Sequence, residues 1–169
     1  KNYLRKLLKR AILNLDYCYF LSNADLENSV SRYNIEICKT EKFIFGVDIN
    51  FWFPKYSIEQ DQVFSVGSDA NRDYEILGKL DNSIKVILIT SLKINFKNKY
   101  NIKKINGDFN KSLISDKKLR RYYNESKIVL IPIKNVYQPS GQSVALQAMA
   151  CGKVVIITRT KGVFDNQIL

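Results

Sequence analysis

Four short runs of nearly unbroken apolar residues constrain this chain most: Val63-Phe64-Ser65-Val66-Gly67, Lys85 to Thr90, Ile128 to Ile133 and Val154 to Thr158. Each has the length of a strand, and each is apolar at successive rather than alternate positions. Strands of that kind are buried on both faces, as in a parallel sheet covered by helices. Tyr100 to Ile105 adds a short strand to the set. Between the strands lie helical patterns. A polar turn, Ser68 to Asn71, leads into a helix carrying Tyr74, Ile76, Leu77 and Leu80. Asp116 to Asn124 forms another, with Asp116 as N-cap and Leu119, Tyr122 and Tyr123 on one side. Val144 to Ala150 forms a third, stopped by Cys151-Gly152. Strands alternating with helices predict an α/β fold, a Rossmann-like parallel sheet with helices on both faces.

The first sixty residues carry a second set of elements. Leu4, Leu7, Leu8, Ala11, Ile12 and Leu15 recur at helical spacing, while Lys1, Arg5, Lys6, Lys9 and Arg10 take the other positions. Lys1 to Leu15 is thus a basic amphipathic helix. Such a helix either lies on an anionic bilayer or docks its stripe on a core. Tyr17 to Leu21 reads as a short buried strand, Ser22 to Asp25 as N-cap chemistry, Leu26 to Tyr33 as a helix, and Phe43-Ile44-Phe45 as a further strand. Ser57 to Asp61 is polar and reads as linker.

Composition removes several classes of function. The chain of 169 residues has no His and only three scattered Cys, Cys18, Cys38 and Cys151. That excludes a zinc finger, a His-based triad and a His-based metal centre. No metal site and no cofactor are expected. The net charge of +11 invites a nucleic-acid reading, but only 7 of the 27 cations are Arg, the residue that phosphate-binding surfaces favour. The basic residues between 85 and 134 lie among Asn and Ser, as on a solvated face. Nucleic acid is not an expected partner. The abrupt first and last residues suggest a piece of a longer protein.

In open α/β sheets, ligands bind beyond the carboxyl ends of the strands. Two such ends stand out. Gly67 directly follows a strand and lets a ligand approach the backbone, and Arg72, five residues on, is placed to reach a phosphate or to pair with Asp69 or Glu75. Ser140-Gly141-Gln142-Ser143-Val144 leads from a Pro turn into a helix whose N-terminal N–H groups form an anion site, or else into an ordinary capped turn.

Gly141, Ala148-Met149-Ala150, Gly152-Lys153 and Val155-Ile156, with Gly162 before Asp165, resemble the signature of group 1 (family 4) retaining glycosyltransferases of GT-B architecture. Three further segments resemble that family in the right order. They are Phe45-Gly46-Val47-Asp48 with Phe53-Pro54, Val66-Gly67 with Arg72-Asp73, and Tyr122 to Pro132. The resemblance implies that residues 1–55 end an acceptor-binding N-terminal domain and that 56–61 are the linker. Residues 62–169 would then form an incomplete nucleotide-sugar-binding domain. It implies Arg72 as the catalytic cation, and Gly67, Ser140, Gly141, Gln142, Ser143, Val144 and Gln147 as donor-binding residues.

The resemblance further implies a metal-independent enzyme of the hexosyl type. It would move a sugar from a nucleotide sugar to a cell-envelope glycan or lipid-linked acceptor, with retention. It would work in the cytoplasm, on the inner face of the membrane where the basic helix can meet anionic lipid. Two departures stand against the family pattern. Gln147 replaces the glutamate that holds the donor ribose, and the glutamate eight positions earlier is replaced by Pro139, next to Gln138. An amide can still hydrogen-bond ribose hydroxyls. A catalytically impaired nucleotide- or sugar-binding scaffold is the alternative.

Overall fold

The computed structural model describes residues 2–96, 99–107 and 114–163. The chain divides into two compact units. The larger comprises residues 46–134 and 140–159 and the smaller residues 1–45, 135–139 and 160–169. The division falls at Gly46, so Trp52, Phe53, Pro54 and the 56–61 stretch belong to the larger unit.

The larger unit is a five-stranded parallel sheet. Its strands are β3 (Gln60–Val66), β4 (Lys85–Ile89), β5 (Ile102–Ile105), β6 (Ser126–Ile131) and β7 (Val154–Ile157), in the spatial order β5-β4-β3-β6-β7. Chain order runs outward one way from β3 to β5 and the other way from β6 to β7. The order therefore reverses between β3 and β6, and their carboxyl ends flank the crevice where α/β sheets bind ligands. Three of the apolar runs are buried as their composition demands: Phe64, Val66, Val86, Leu88, Ile89, Val129 and Ile131 are all sealed from solvent. The fourth, β7, is an edge strand whose Val154 and Ile156 are exposed, so it is not covered on both faces as read.

Two layers cover the sheet. Helix α3 (Asp116–Glu125) presses Tyr122 and Tyr123 against Phe64, with ring centroids 5.6 and 5.1 Å away, and Trp52 meets Tyr123 edge-on at 5.6 Å. Arg120 lies over the rings of both Phe51 and Phe53 and donates to the Phe51 carbonyl. Asn124 accepts from the Lys55 N–H and donates to the Phe53 carbonyl. These contacts fasten 51–55 to α3, so that stretch packs as part of this unit. A second cluster, Tyr74, Leu77, Val86 and Leu88, is extended by Val63, Leu80, Phe96 and Ile102.

Several elements differ from their sequence reading. The segment after Ser68–Asn71 is a 3-10 helix, Tyr74–Lys79, because residues 71–73 are held extended against β6's continuation: Lys134 N–H donates to Asn71 O, and Asp73 N–H to Pro132 O. That same pairing takes residues 132–134 out of strand β6. Ser115, not Asp116, caps α3, its Oγ accepting from Lys118 N–H. Helix α4 (Gln142–Ala150) starts two residues earlier than read, and Gly152 follows its C-cap Cys151 at φ +69°.

The smaller unit holds α1 (Asn2–Leu13), β1 (Cys18–Phe20), α2 (Asn23–Tyr33) and β2 (Thr40–Lys42). Ser22 caps α2 as read, accepting from the Asp25 N–H. Strand β2 falls on Thr40–Lys42 rather than Phe43–Phe45, because it pairs in parallel with β1 in the register Cys18 to Thr40. The Phe43 N–H still donates to Phe20 O, but the side chains from Phe43 to Phe45 are exposed. Strand β1 is not buried as read: Tyr17 and Tyr19 are exposed in a sheet of two strands among the described residues. Asp165 lies outside the described residues.

Candidate functional site

The two strand ends marked in the sequence meet. Gly67 ends β3 at φ +142°, and Gly141 opens α4 at φ +78°. Between them lies the guanidinium of Arg72, whose side chain is 3% exposed. A Cβ on Gly67 would stand 2.6 Å from Arg72 Nε and Nη2, and a Cβ on Gly141 would stand 3.2 Å from Nη1. A side chain at Gly67 would fill the slot that the guanidinium occupies, and one at Gly141 would crowd its edge. The backbone of Arg72 is fixed by its antiparallel bridge to Ile133, which delivers the side chain to the switch point between β3 and β6.

A Cβ on Gly141 would point inward, 2.7 Å from Ile131 Cγ2 and 3.0 Å from Ile133 Cδ1, and the φ of +78° itself disfavours any side chain there. Gly141 is a packing residue as well as a loop residue.

Arg72 is partly neutralised. Its Nε donates to Asp69 Oδ2 at 2.8 Å, and the Ser140 hydroxyl donates to Asp69 Oδ1 at 2.9 Å. The Asn71 N–H donates to Asp69 Oδ1 at 3.1 Å. Burial works to raise the Asp69 carboxyl, but the charge of Arg72 and the hydrogen bonds from Ser140, Arg72 and Asn71 outweigh it and hold the carboxyl below the usual range. Nη1 of Arg72, by contrast, is buried and has no hydrogen-bond partner among the described residues. A buried, unpaired guanidinium nitrogen is costly and is a standing demand for an acceptor. Beneath the slot, Tyr74 donates its phenol to Gly67 O at 2.9 Å. Burial raises that phenol to about 12, so it stays a donor at neutral pH.

The N-cap of α4 is Gly141, which has no side chain with which to cap the helix. The first-turn N–H groups of a helix have no intrahelical acceptor, and they carry the positive end of its dipole. The uncapped N-terminus thus stands beside Arg72 Nη1. Ser140, Gln142 and Val144 are buried around that turn, and Ser143 is exposed. Ala145 and Ala148 are sealed against the sheet, as a small-residue face should be.

Gln147 is placed differently from the rest. Its Oε1 accepts from the Tyr123 phenol at 3.0 Å, and Tyr123 is fully buried among Trp52 and Phe64. Burial pushes that phenol well above the ordinary tyrosine range, so it remains a donor and one lone pair of the amide oxygen is committed to it. The amide nitrogen of Gln147 and the second lone pair of Oε1 are left to serve a ligand. The sequence reading gave Gln147 a place at the donor ribose, and the structure also ties it to the aromatic core through a partner 24 residues away. The sequence reading named Asp69 as a partner for Arg72 but missed its bond to Ser140, 71 residues away.

No family model and no curated protein matches this chain. Solved structures do. Sucrose-phosphate synthase from Thermosynechococcus elongatus matches 96% of this chain and 45% of its own at 18% identity, with a TM-score of 0.70. Anabaena HepE, solved with UDP and glucose, matches 95% of this chain and 49% of its own at 16% identity and a TM-score of 0.71. TarM matches 96% of this chain and 34% of its own at 13% identity and a TM-score of 0.64. The chain has the GT-B glycosyltransferase fold that these proteins share, and it spans about half the length of the first two.

Proposed function

We propose that this chain is the donor-binding part of a glycosyltransferase that takes its sugar from a nucleoside diphosphate sugar. The observation that carries the reading is the buried, unpaired Nη1 of Arg72, held between Gly67 and Gly141 beside the uncapped start of α4. A leaving diphosphate gains negative charge as the glycosidic bond breaks. A fixed cation and aimed N–H groups stabilise that charge most in the transition state. On this reading Arg72 supplies the cation, and the backbone from Gly141 to Val144 the N–H groups. Gly67 and Ser140 shape the loop, and Gln142, Ser143 and the amide nitrogen of Gln147 are the remaining donors.

Retention at the anomeric carbon, independence of metal, and a cell-envelope glycan or lipid-linked acceptor belong to the same proposal and follow from the sequence resemblance. So does work at the inner face of the cytoplasmic membrane. There α1 would meet anionic lipid, since Leu4, Leu7 and Leu8 are exposed on one side and Lys6, Lys9 and Arg10 on the other. No helix among the described residues is long and apolar enough to cross a membrane. The second reading is a scaffold that binds a nucleotide or sugar without transfer. It is favoured by the commitment of Gln147 to Tyr123 and by the lack of the two family carboxylates.

Calorimetry of the chain with UDP-, GDP- and ADP-glucose tests donor binding, and an RNA oligonucleotide serves as the charged control. Binding of one nucleotide sugar with no competition from RNA is the expected result. Binding of RNA alone would end the reading. Release of free sugar or transfer in the presence of acceptor separates the enzyme from the scaffold.

A further inference from the structure

The loop after β3 holds a charged group that donor binding does not use. The Asp69 carboxylate accepts from three donors: a guanidinium nitrogen of Arg72, the hydroxyl of Ser140 and the backbone N–H of Asn71. Its side chain is 43% exposed while that of Arg72 is 3% exposed, so the carboxylate is the solvent-facing member of the pair. A cation, a hydroxyl and a backbone N–H form the set of donors that a phosphate oxygen takes. We propose that Asp69 is an internal anion that holds Arg72 Nε, the Ser140 hydroxyl and the Asn71 N–H in the empty protein and yields them to an incoming diphosphate that also meets Nη1, so that it sets how much charge a ligand must bring.

The inference rests on the donor-site reading above and adds a specificity element to it. Two negative groups a few ångströms apart repel, so the carboxylate and a diphosphate exclude each other from the same donors. The carboxyl is held below its usual range and is therefore ionised at neutral pH, where it competes fully. A nucleoside or a free sugar has no charge with which to displace it. The diphosphate has, and on arrival it gains Ser140 Oγ and Arg72 as partners. The empty protein meanwhile avoids leaving a buried guanidinium without any counter-ion.

The test is calorimetry at low salt with pyrophosphate, UDP, UDP-glucose and uridine, on the unaltered chain and on Asp69→Asn. Pyrophosphate and UDP should bind the variant at least fivefold more tightly, with uridine unchanged. Pyrophosphate binding that is unchanged or weaker in the variant overturns the proposal and makes Asp69 a residue that merely positions Arg72. If neither protein binds UDP-glucose while the variant gains affinity for pyrophosphate, the donor-site reading falls and the internal anion stands. Should Asp69→Asn fail to fold, a crystal structure of the unaltered chain with pyrophosphate decides. The Arg72 Nε to Asp69 Oδ2 contact should open beyond about 4 Å, the limit of an ion pair. A bound anion with that contact intact overturns the proposal.

Discussion

Positive charge is placed in this protein in two opposite ways. On α1, Lys6, Lys9 and Arg10 stand exposed along one side of a helix, opposite an exposed stripe of Leu4, Leu7 and Leu8. At the switch point of the sheet, one cation, Arg72, is buried in a slot between two glycines, with one carboxylate against it and one nitrogen unpaired. Exposed cations act in high dielectric. Each contributes little, salt screens them, and they suit any anionic surface. A buried cation acts in low dielectric. Its strength is greater, its geometry is fixed, and it suits one ligand group. The comparison predicts that disturbing the slot has large and specific effects, whereas disturbing the helix has small and additive ones.

The largest effect should come from closing the slot. Gly141→Val puts a branched side chain at φ +78° and drives its Cβ into Ile131, Ile133 and Arg72. Backbone strain and overpacking each cost roughly 1–3 kcal/mol. Urea denaturation should show a loss of about 2–6 kcal/mol, together with lost donor binding. A variant as stable as the parent would mean that the Gly141 backbone is not confined as described.

Removing the cation comes next. Arg72→Ala leaves the glycine slot empty and Asp69 without its partner. Donor turnover in the full-length enzyme should drop at least tenfold, in line with the roughly 2–4 kcal/mol that one charge-stabilising donor contributes to a transition state. Arg72→Lys should recover little of it, because an ammonium cannot hold Asp69 and present a second nitrogen at once. Unchanged turnover in Arg72→Ala would make the slot a packing device only.

How much of this was legible in the sequence depended on distance along the chain. Gly67 stood out because it lies between an apolar run and a polar turn, Gly141 because it lies between a Pro-Ser turn and a helix start, and Arg72 because a cation five residues past a strand-terminal glycine can reach a phosphate or pair with Asp69 or Glu75. Four strands of the larger sheet, β3, β4, β6 and β7, were readable from nearly unbroken apolarity, whereas β5 carries two Lys. Strand β2 was misplaced because Thr40-Glu41-Lys42 is polar and its pairing with β1 is set by register, not by composition. The depth of Arg72, the Asp69 to Ser140 bond and the Gln147 to Tyr123 bond are all tertiary. No local pattern encodes a partner 71 or 24 residues away.

The helix should respond in smaller steps. Vesicles containing anionic lipid should bind the full chain better than neutral vesicles, and Lys9→Gln should weaken that binding by about 1 kcal/mol, the contribution of one cation near such a surface. Raising the salt should erase most of the difference. Equal sedimentation with both kinds of vesicle at low salt would show that the stripe on α1 serves some other contact. The same salt change should leave the Arg72 to Asp69 pair nearly untouched, and that contrast separates the two placements of charge.

The smallest effect belongs to acid. The Asp69 carboxyl titrates below its ordinary value in the folded protein because Arg72 and three hydrogen bonds favour its charged form over the cost of burial. In the unfolded chain it returns to about 3.9. A group whose folded value is depressed adds stability that is fully present above its unfolded value and is lost as pH falls through the folded one. Between neutrality and about pH 5, Asp69→Asn should therefore show a constant deficit against the parent. Below about pH 4 the two denaturation curves should converge, as protonation takes from the parent what the substitution took from the variant. The side chain is nearly half exposed, so the gap is small and is best read as a difference between two pH series. Curves that stay parallel down to pH 2 would mean that the Arg72 to Asp69 pair contributes no net stability. The carboxylate would then be held by the loop rather than holding it, and it would yield all the more readily to a diphosphate.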